Sequence, residues 1–268
     1  MNRSLIILLW ALSFCLPGCN IWEDRDSCPT YLLVDCSRLE GKALKADIWI
    51  FRKGGSLVCR TSVGEHDFYQ PHRFEVEKGE YICYVWSGIG KGTVTSDLGS
   101  VSGTLLKAAN IDADELFSFM AEADCQKNPA RVDVYPRKMF INVTVTVKGL
   151  KNEDMTSLCL SSPWGGFNLG GEGIRLDNFV LAEGNDLLKA RMLRPSSLDG
   201  IKLELSFLFG DGNTLDSEFD LGQFLKENNY NLAEDIVKDI YITVDISKLK
   251  AFVGQDPWDK VPQVFIQY

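Results

Sequence analysis

Residues 138–149 read KMFINVTVTVKG, with Ile141, Val143, Val145 and Val147 alternating with Asn142, Thr144 and Thr146. A period of two sends one set of side chains into a core and the other into water, which is the pattern of a half-buried strand. It recurs downstream. Ile201, Leu203, Leu205, Phe207 and Phe209 alternate with Lys202, Glu204 and Ser206, and Ile240, Ile242, Val244 and Ile246 alternate with Tyr241, Thr243 and Asp245. Such runs predict an all-β chain of antiparallel sandwiches with few short helices.

Turn residues separate the runs. Gly54-Gly55 joins KADIWIF to SLVCRTSV as a hairpin, and Gly210-Asp211-Gly212-Asn213 joins two more strands. Helical signals are confined to Asp112–Met120, where Asp112 stands as a cap, and to Leu221–Leu225, where Leu221, Phe224 and Leu225 share a face. Pro136 lies between the short strand RVDVY and the long strand from Lys138. A proline there interrupts a ladder and suits a crossover between units. The expected organisation is therefore an N-terminal sandwich over 28–137 and a C-terminal one over 138–268, each of common domain size.

Upstream of the strands, Arg3 precedes an apolar run, LIILLWALSFCL, that is too short to span a bilayer. Residues 1–18 read as a signal peptide. Its end, Leu16-Pro17-Gly18-Cys19, resembles a lipobox, in which the cysteine thiol takes a diacylglyceryl group and becomes the new amino terminus. Pro17 departs from the usual small or branched residue at that position. Acyl chains anchor stably without a spanning helix, because each buried methylene contributes about 0.8 kcal/mol. Residues 19–27 then form a tether carrying Glu23, Asp24 and Asp26 against Arg25. Anionic headgroups repel such a segment. It also resembles the acidic signals that direct lipoproteins to the outer face of the outer membrane in some bacteria.

The chain of 268 residues has 28 basic and 37 acidic side chains, a net charge of −9. With no basic stripe to displace counterions, nucleic acid is not an expected partner. After Cys15 and Cys19 come Cys28, Cys36, Cys59, Cys83, Cys125 and Cys159, six residues that admit fifteen pairings. No CxxC and no histidine pair accompanies them, which argues against zinc. Several lie in apolar strands, where a free cysteine acts as a small hydrophobe, and one disulfide, involving Cys28, is expected over three.

Catalytic signals are weak. The only histidines, His66 and His72, fall in the polar segment EHDFYQPHRF, and there is no GxSxG elbow to supply a nucleophile. GDGNTLDSE places Leu215 where a calcium loop needs an oxygen ligand, so it reads as a hairpin turn. SGIGKGT and LGGEG lack the lysine–serine pair of a phosphate loop. No enzymatic activity and no cofactor are expected. Trp49 and Trp86 lie in strands and read as core, whereas Trp164 and Trp258 lie in turn-rich segments and could present indole faces to a sugar.

These segments together resemble the anchor-subunit family of fimbrillin-type, or type V, fimbriae. The likeness rests on the lipobox and acidic tether, on Ser27-Cys28-Pro29 leading into TYLLVDC, and on GEYICYVWSGIG with Gly79, Tyr81, Trp86 and Gly88. The arginine-led strand Arg137-Lys138-Met139-Phe140-Ile141-Asn142-Val143 completes it. The resemblance implies two tandem Greek-key, transthyretin-like sandwiches on the outer membrane, holding the base of a fimbrium and in some members limiting fibre length. It also implies Cys19 as the lipidated residue and a fimbrillin shaft subunit as partner, met by strand complementation or edge contact. Only nine residues separate Cys19 from Pro29, so no removable apolar strand precedes the first sheet, which favours an anchor over a shaft subunit. Alternating Val264, Ile266 and Tyr268 in VPQVFIQY nominate that segment as the joint, or as the last strand of its own sheet. The competing expectation is a surface glycan-binding lipoprotein of a polysaccharide-capture system, working through Trp164 or Trp258.

Overall fold

The computed structural model describes residues 29–96, 105–108, 112–246 and 265–266. Among the described residues, the regular elements are almost all strands. The first ten are β1 (Thr30–Asp35), β2 (Lys45–Arg52), β3 (Leu57–Gly64), β4 (His72–Val76), β5 (Glu80–Ser87), β6 (Thr93–Ser96), β7 (Leu105–Ala108), β8 (Phe117–Asp124), β9 (Ala130–Asp133) and β10 (Arg137–Lys138). After them come β11 (Phe140–Lys148), β12 (Met155–Asn168), β13 (Gly173–Gly184), β14 (Leu187–Leu193), β15 (Lys202–Leu208), β16 (Thr214–Asp220), helix α1 (Leu221–Glu227), β17 (Ile240–Asp245) and β18 (Phe265–Ile266).

One topology is used twice. The order β4-β1-β9 faces β10-β8-β5-β2-β3 in the first repeat, and β14-β11-β17-β18 faces β13-β12-β15-β16 in the second. Both repeats start with a central strand, β1 or β11, paired antiparallel to one neighbour and parallel to the last long strand, β9 or β17. Each repeat thus carries one parallel pair within otherwise antiparallel sheets, and the expected all-β sandwich architecture is present. In each repeat the last strand returns from the facing sheet and so arrives beside the first in its own direction.

Each repeat closes over its own core. Leu32, Val34, Ile48, Ile50, Cys83, Val85 and Phe117 fill the first. Val143, Val145, Leu158, Leu160, Leu203, Leu205, Phe207, Ile242 and Val244 fill the second, where α1 adds Leu221 and Leu225. The expected helix at Leu221–Leu225 is present, capped by the Asp220 carboxylate, which accepts from Gln223 N at 2.8 Å. Hairpins form at both predicted turns, Gly54-Gly55 between β2 and β3 and Gly210–Asn213 between β15 and β16.

The helix expected at Asp112–Met120 does not form. Phe117 opens β8, whose Phe117, Phe119, Ala121 and Ala123 alternate into the first core. That period of two outweighs the cap signal at Asp112. The carboxylates are engaged elsewhere: Asp112 accepts from Arg191 N at 2.9 Å, and Asp114 accepts from Gly90 N at 2.8 Å and Gly92 N at 3.1 Å.

A third apolar cluster joins the repeats. β12 runs past its own sandwich: its first half pairs with β15, and residues Gly166–Asn168 pair with β7 of the first repeat. This arm lies over the outer face of the β2–β5 sheet. Residues Ala46–Phe51 of β2 are consequently buried without a break. Ala46, Ile48 and Ile50 point to the first core, and Trp49 and Phe51 join Tyr84, Trp86, Leu116, Phe167, Leu169 and Leu193 in the shared cluster. Trp86 is fully buried, 5.6 Å from Phe167 between ring centres, and its indole N–H donates to the Leu169 carbonyl at 2.8 Å. Gly88 then turns at φ +80°, and a Cβ there would lie 2.0 Å from the Glu115 carbonyl oxygen. The GEYICYVWSGIG motif is therefore the seat of the arm.

Removing the indole opens a cavity at this junction, so Trp86→Ala should lose about 3–5 kcal/mol of stability. Trp86→Phe keeps most of the packing but leaves the Leu169 carbonyl unpaired, a loss of about 1–3 kcal/mol. Urea unfolding of the two variants against wild type measures both, with the alanine variant the lower in midpoint.

Candidate assembly site

The second repeat ends at a sheet edge built by a chain of polar contacts. Lys138, almost fully buried, leads out of β10, and its ammonium group reaches Asp239 Oδ1 at 2.6 Å and the Val237 carbonyl at 3.3 Å. Asp239 also accepts from the Asn142 backbone N–H at 2.9 Å and from its side-chain amide at 3.2 Å. Asp239 directly precedes β17, and Asn142 lies in β11, so this carboxylate sets the parallel register in which Val143 faces Ile240. Burial raises the Asp239 pKa. The hydrogen bonds from Lys138 and Asn142, with the charge of Lys138, outweigh that effect and hold the carboxyl below its ordinary 3.8.

Asn142 is shared. Its Oδ1 accepts from Arg191 Nε at 2.9 Å, and the Arg191 guanidinium continues to the Ala113 carbonyl at 3.2 Å and to Glu115 at 2.6 Å. Arg194, 3% exposed, donates to the carbonyls of Lys138 (3.0 Å), Glu234 (2.8 Å) and Leu232. It pins the segment that leads into β17 against the junction of the repeats. Burial and the neighbouring Arg137 charge lower its pKa to about 10, which leaves it a cation at neutral pH. The arginine-led strand is thus a bracket: Lys138 and Asn142 hold β17, and Arg191 and Arg194 tie it to the first repeat. None of these partners was legible in the sequence, because each lies dozens of positions away along the chain.

β18 lies outside β17 on this edge, Phe265 opposite Thr243 and Ile266 opposite Ile242. Of the two readings of VPQVFIQY, the backbone takes the self-completing one over these two residues; the rest of the segment lies outside the described residues. In the first repeat the strand equivalent to β17 is β9. Among the described residues no strand pairs with its outer edge. Arg131 of β9 bonds Asp35 at 2.6 Å and Asp133 at 2.8 Å, placing charges along that edge. Edge strands present unpaired N–H and C=O groups, and a foreign strand can add to them by main-chain hydrogen bonds.

Cys19, Cys28, the leader, the tether and Trp258 lie outside the described residues. Trp49 and Trp86 are core. Trp164 is only partly exposed, and the Arg175 guanidinium lies over one face of its ring, 5.4 Å from the centre. The ring of His72, the first residue of β4, lies 3.1 Å from the Asp67 carbonyl oxygen. Cys36, Cys59, Cys83, Cys125 and Cys159 carry free thiols. Burial, aided by the Asp35 charge at Cys36 and by Cys36 at Cys83, pushes the pKa of both up to about 12, as suits hydrophobes. Among the described residues no cluster of histidine, cysteine and carboxylate side chains could hold a metal, and no helix is long and apolar enough to cross a membrane.

Neither a family model nor a curated protein matches the sequence. Solved structures do match the fold. A Bacteroides thetaiotaomicron protein provisionally described as polysaccharide-binding aligns over 81% of this chain and 90% of its own, at a TM-score of 0.61 and 12% identity. A provisional adhesin from Bacteroides ovatus aligns over 81% and 88%, at 0.61 and 9%. The fimbrial anchor protein Mfa2 from Porphyromonas gingivalis aligns over 81% and 91%, at 0.56 and 19%. The shared property is the fold.

The Asp239 bracket is open to test by pH. A carboxyl whose pKa is depressed on folding stabilises the native state above its ordinary 3.8, and that contribution is lost as pH falls through the lower folded value. Asp239→Asn should therefore be less stable than wild type by about 1.5–3 kcal/mol at pH 7. The gap should narrow as the pH drops below 3.8, in thermal melts of both proteins across that range.

Proposed function

We propose that this chain is a surface lipoprotein that holds the base of a fimbrium: lipid on Cys19 fastens it to the outer membrane, and the β17–β18 edge meets the shaft subunit. An anchor needs two attachments, one to the membrane and one to the fibre. The observation that carries the reading is the edge position of β18, whose described residues Phe265 and Ile266 pair with the strongly bracketed β17. A strand at a sheet edge can be exchanged for, or extended by, a neighbour's strand, while the Asp239 and Arg194 contacts keep the accepting edge in place. The β9 edge of the first repeat offers a second position of the same kind.

The lipobox, the acidic tether and the order of motifs support outer-membrane attachment, and the fold shared with the fimbrial anchor Mfa2 and with adhesins agrees with a role in surface assembly. No catalysis belongs to this reading. The sheets transmit tension from fibre to membrane, and fibre length follows from how firmly the base is held.

Two measurements in the native host test it. Radiolabelled palmitate should enter the wild-type protein and not Cys19→Ser, and fibres of the Cys19→Ser strain should be recovered in the medium. Removing residues 261–268 should leave the protein lipidated and folded while fibre retention on cells falls. Equal label in both proteins would sink the lipid anchor; unchanged retention after the deletion would remove β18 from the joint.

A further inference from the structure

Alternation along β12 sends Leu158 and Leu160 into the second core and Ser157, Cys159 and Ser161 to the outer face of its sheet. Small side chains on this strand leave a shallow groove between its neighbours β13 and β15, which lie about 10 Å apart. One wall is apolar. Phe179 stands opposite Ser161 and Leu181 opposite Cys159, and they are 46% and 65% exposed. Met155 and Leu208, opposite one another at the end of the groove, are also half exposed. Grouped on one open face, these four side chains form a patch of the kind that marks contact with a partner.

The other wall is acidic. Glu204 of β15 stands opposite Glu218 of β16, and Asp216 stands opposite Ser206. Glu183 and Asp220 bring the carboxylates in these facing rows to five, against the one ammonium of Lys202, which Glu218 engages. Like charges directly opposite one another weaken a strand pair, so Glu204 and Glu218 oppose the stability of the isolated chain. A face both apolar and anionic repels anionic lipid and nucleic acid. Among the described residues, no group of carboxylates on it is arranged to hold a metal ion. The chemistry that complements it is cationic and apolar together.

We propose that this face docks a basic, apolar segment of another protein, extended along the β12 groove, with its apolar side chains on Phe179 and Leu181 and its lysines or arginines toward Glu204, Asp216 and Glu218. An extended chain turns alternate side chains to opposite sides, so alternation of basic and apolar residues matches one acidic and one apolar wall. The groove over Met155–Ser161 runs for about 20 Å, room for a segment of similar length. The chain's own tether is excluded as the occupant by its Glu23, Asp24 and Asp26. The face belongs to the sheet opposite the β17–β18 edge, so the proposal neither requires fimbrial anchoring nor follows from it.

The test uses the full chain in phosphatidylcholine nanodiscs, with empty discs as the blank, titrated calorimetrically with three synthetic peptides of equal length. The first alternates lysine with leucine and phenylalanine, the second lysine with serine, and the third glutamate with leucine and phenylalanine. The first should bind, less tightly as salt rises, and the other two at least tenfold more weakly. Leu181→Ser and Glu204→Gln should each weaken the first peptide fivefold or more, whereas Leu44→Ser, an exposed change in the first repeat, should leave it unchanged. Leu181 is a surface position and Glu204→Gln removes a like-charge pair, so neither variant should melt below wild type. No binding of the first peptide, equal binding of the lysine–serine peptide, or wild-type affinity in either groove variant would each overturn the proposal.

Discussion

Everything in this molecule turns on the burial of Trp86 between two sandwiches. Its ring is sealed by Phe167 from the arm, its N–H is satisfied by Leu169, and the Gly88 turn beside it leaves no room for a side chain. An indole this deeply buried stabilises the native state only if its one polar atom finds a partner. The second repeat supplies that partner, so the outer face of the first repeat's sheet is completed by the second repeat and not by solvent. The paired strands β6 and β7 strengthen the link, since β7 also pairs with β12.

The polar bracket follows from the same constraint. With the arm seated, Lys138 and Arg194 lie at the boundary of the repeats with their charges largely removed from water, Arg191 lies half-buried beside them, and each is matched by carbonyls or a carboxylate. Unmatched, any of them would oppose folding. Matched, they hold β17 in register and so fix where the β18 edge lies. Under the proposed anchoring role, tension applied at that edge would pass through the bracket into the shared core and on to the first repeat.

The alternation around Val143, Leu203 and Ile242 makes those strands legible from the residues alone, because a period of two is a local property. Facts that depend on distant partners are not legible in that way. The run ADIWIF reads as a strand, but its burial on both faces follows from the β12 arm more than a hundred residues later. Asp112–Met120 reads as a cap and helix, yet its carboxylates serve Arg191 and the Gly90–Gly92 turn. Trp164 reads as an exposed platform in a turn-rich segment, whereas a register slip between β12 and β13 sets it opposite Arg175, whose guanidinium lies over its ring. The doubled topology is invisible in the residues because equivalent strands such as TYLLVD and FINVTVTVK share only their alternation, not their side chains.

The shared core makes a claim about cooperativity that scanning calorimetry addresses directly. If the Trp86 cluster welds the repeats, the wild-type chain should melt in a single transition whose calorimetric and van't Hoff enthalpies agree. Two resolved transitions, or a calorimetric enthalpy well above the van't Hoff value, would mean that each sandwich melts by itself and that the arm merely rests on its neighbour.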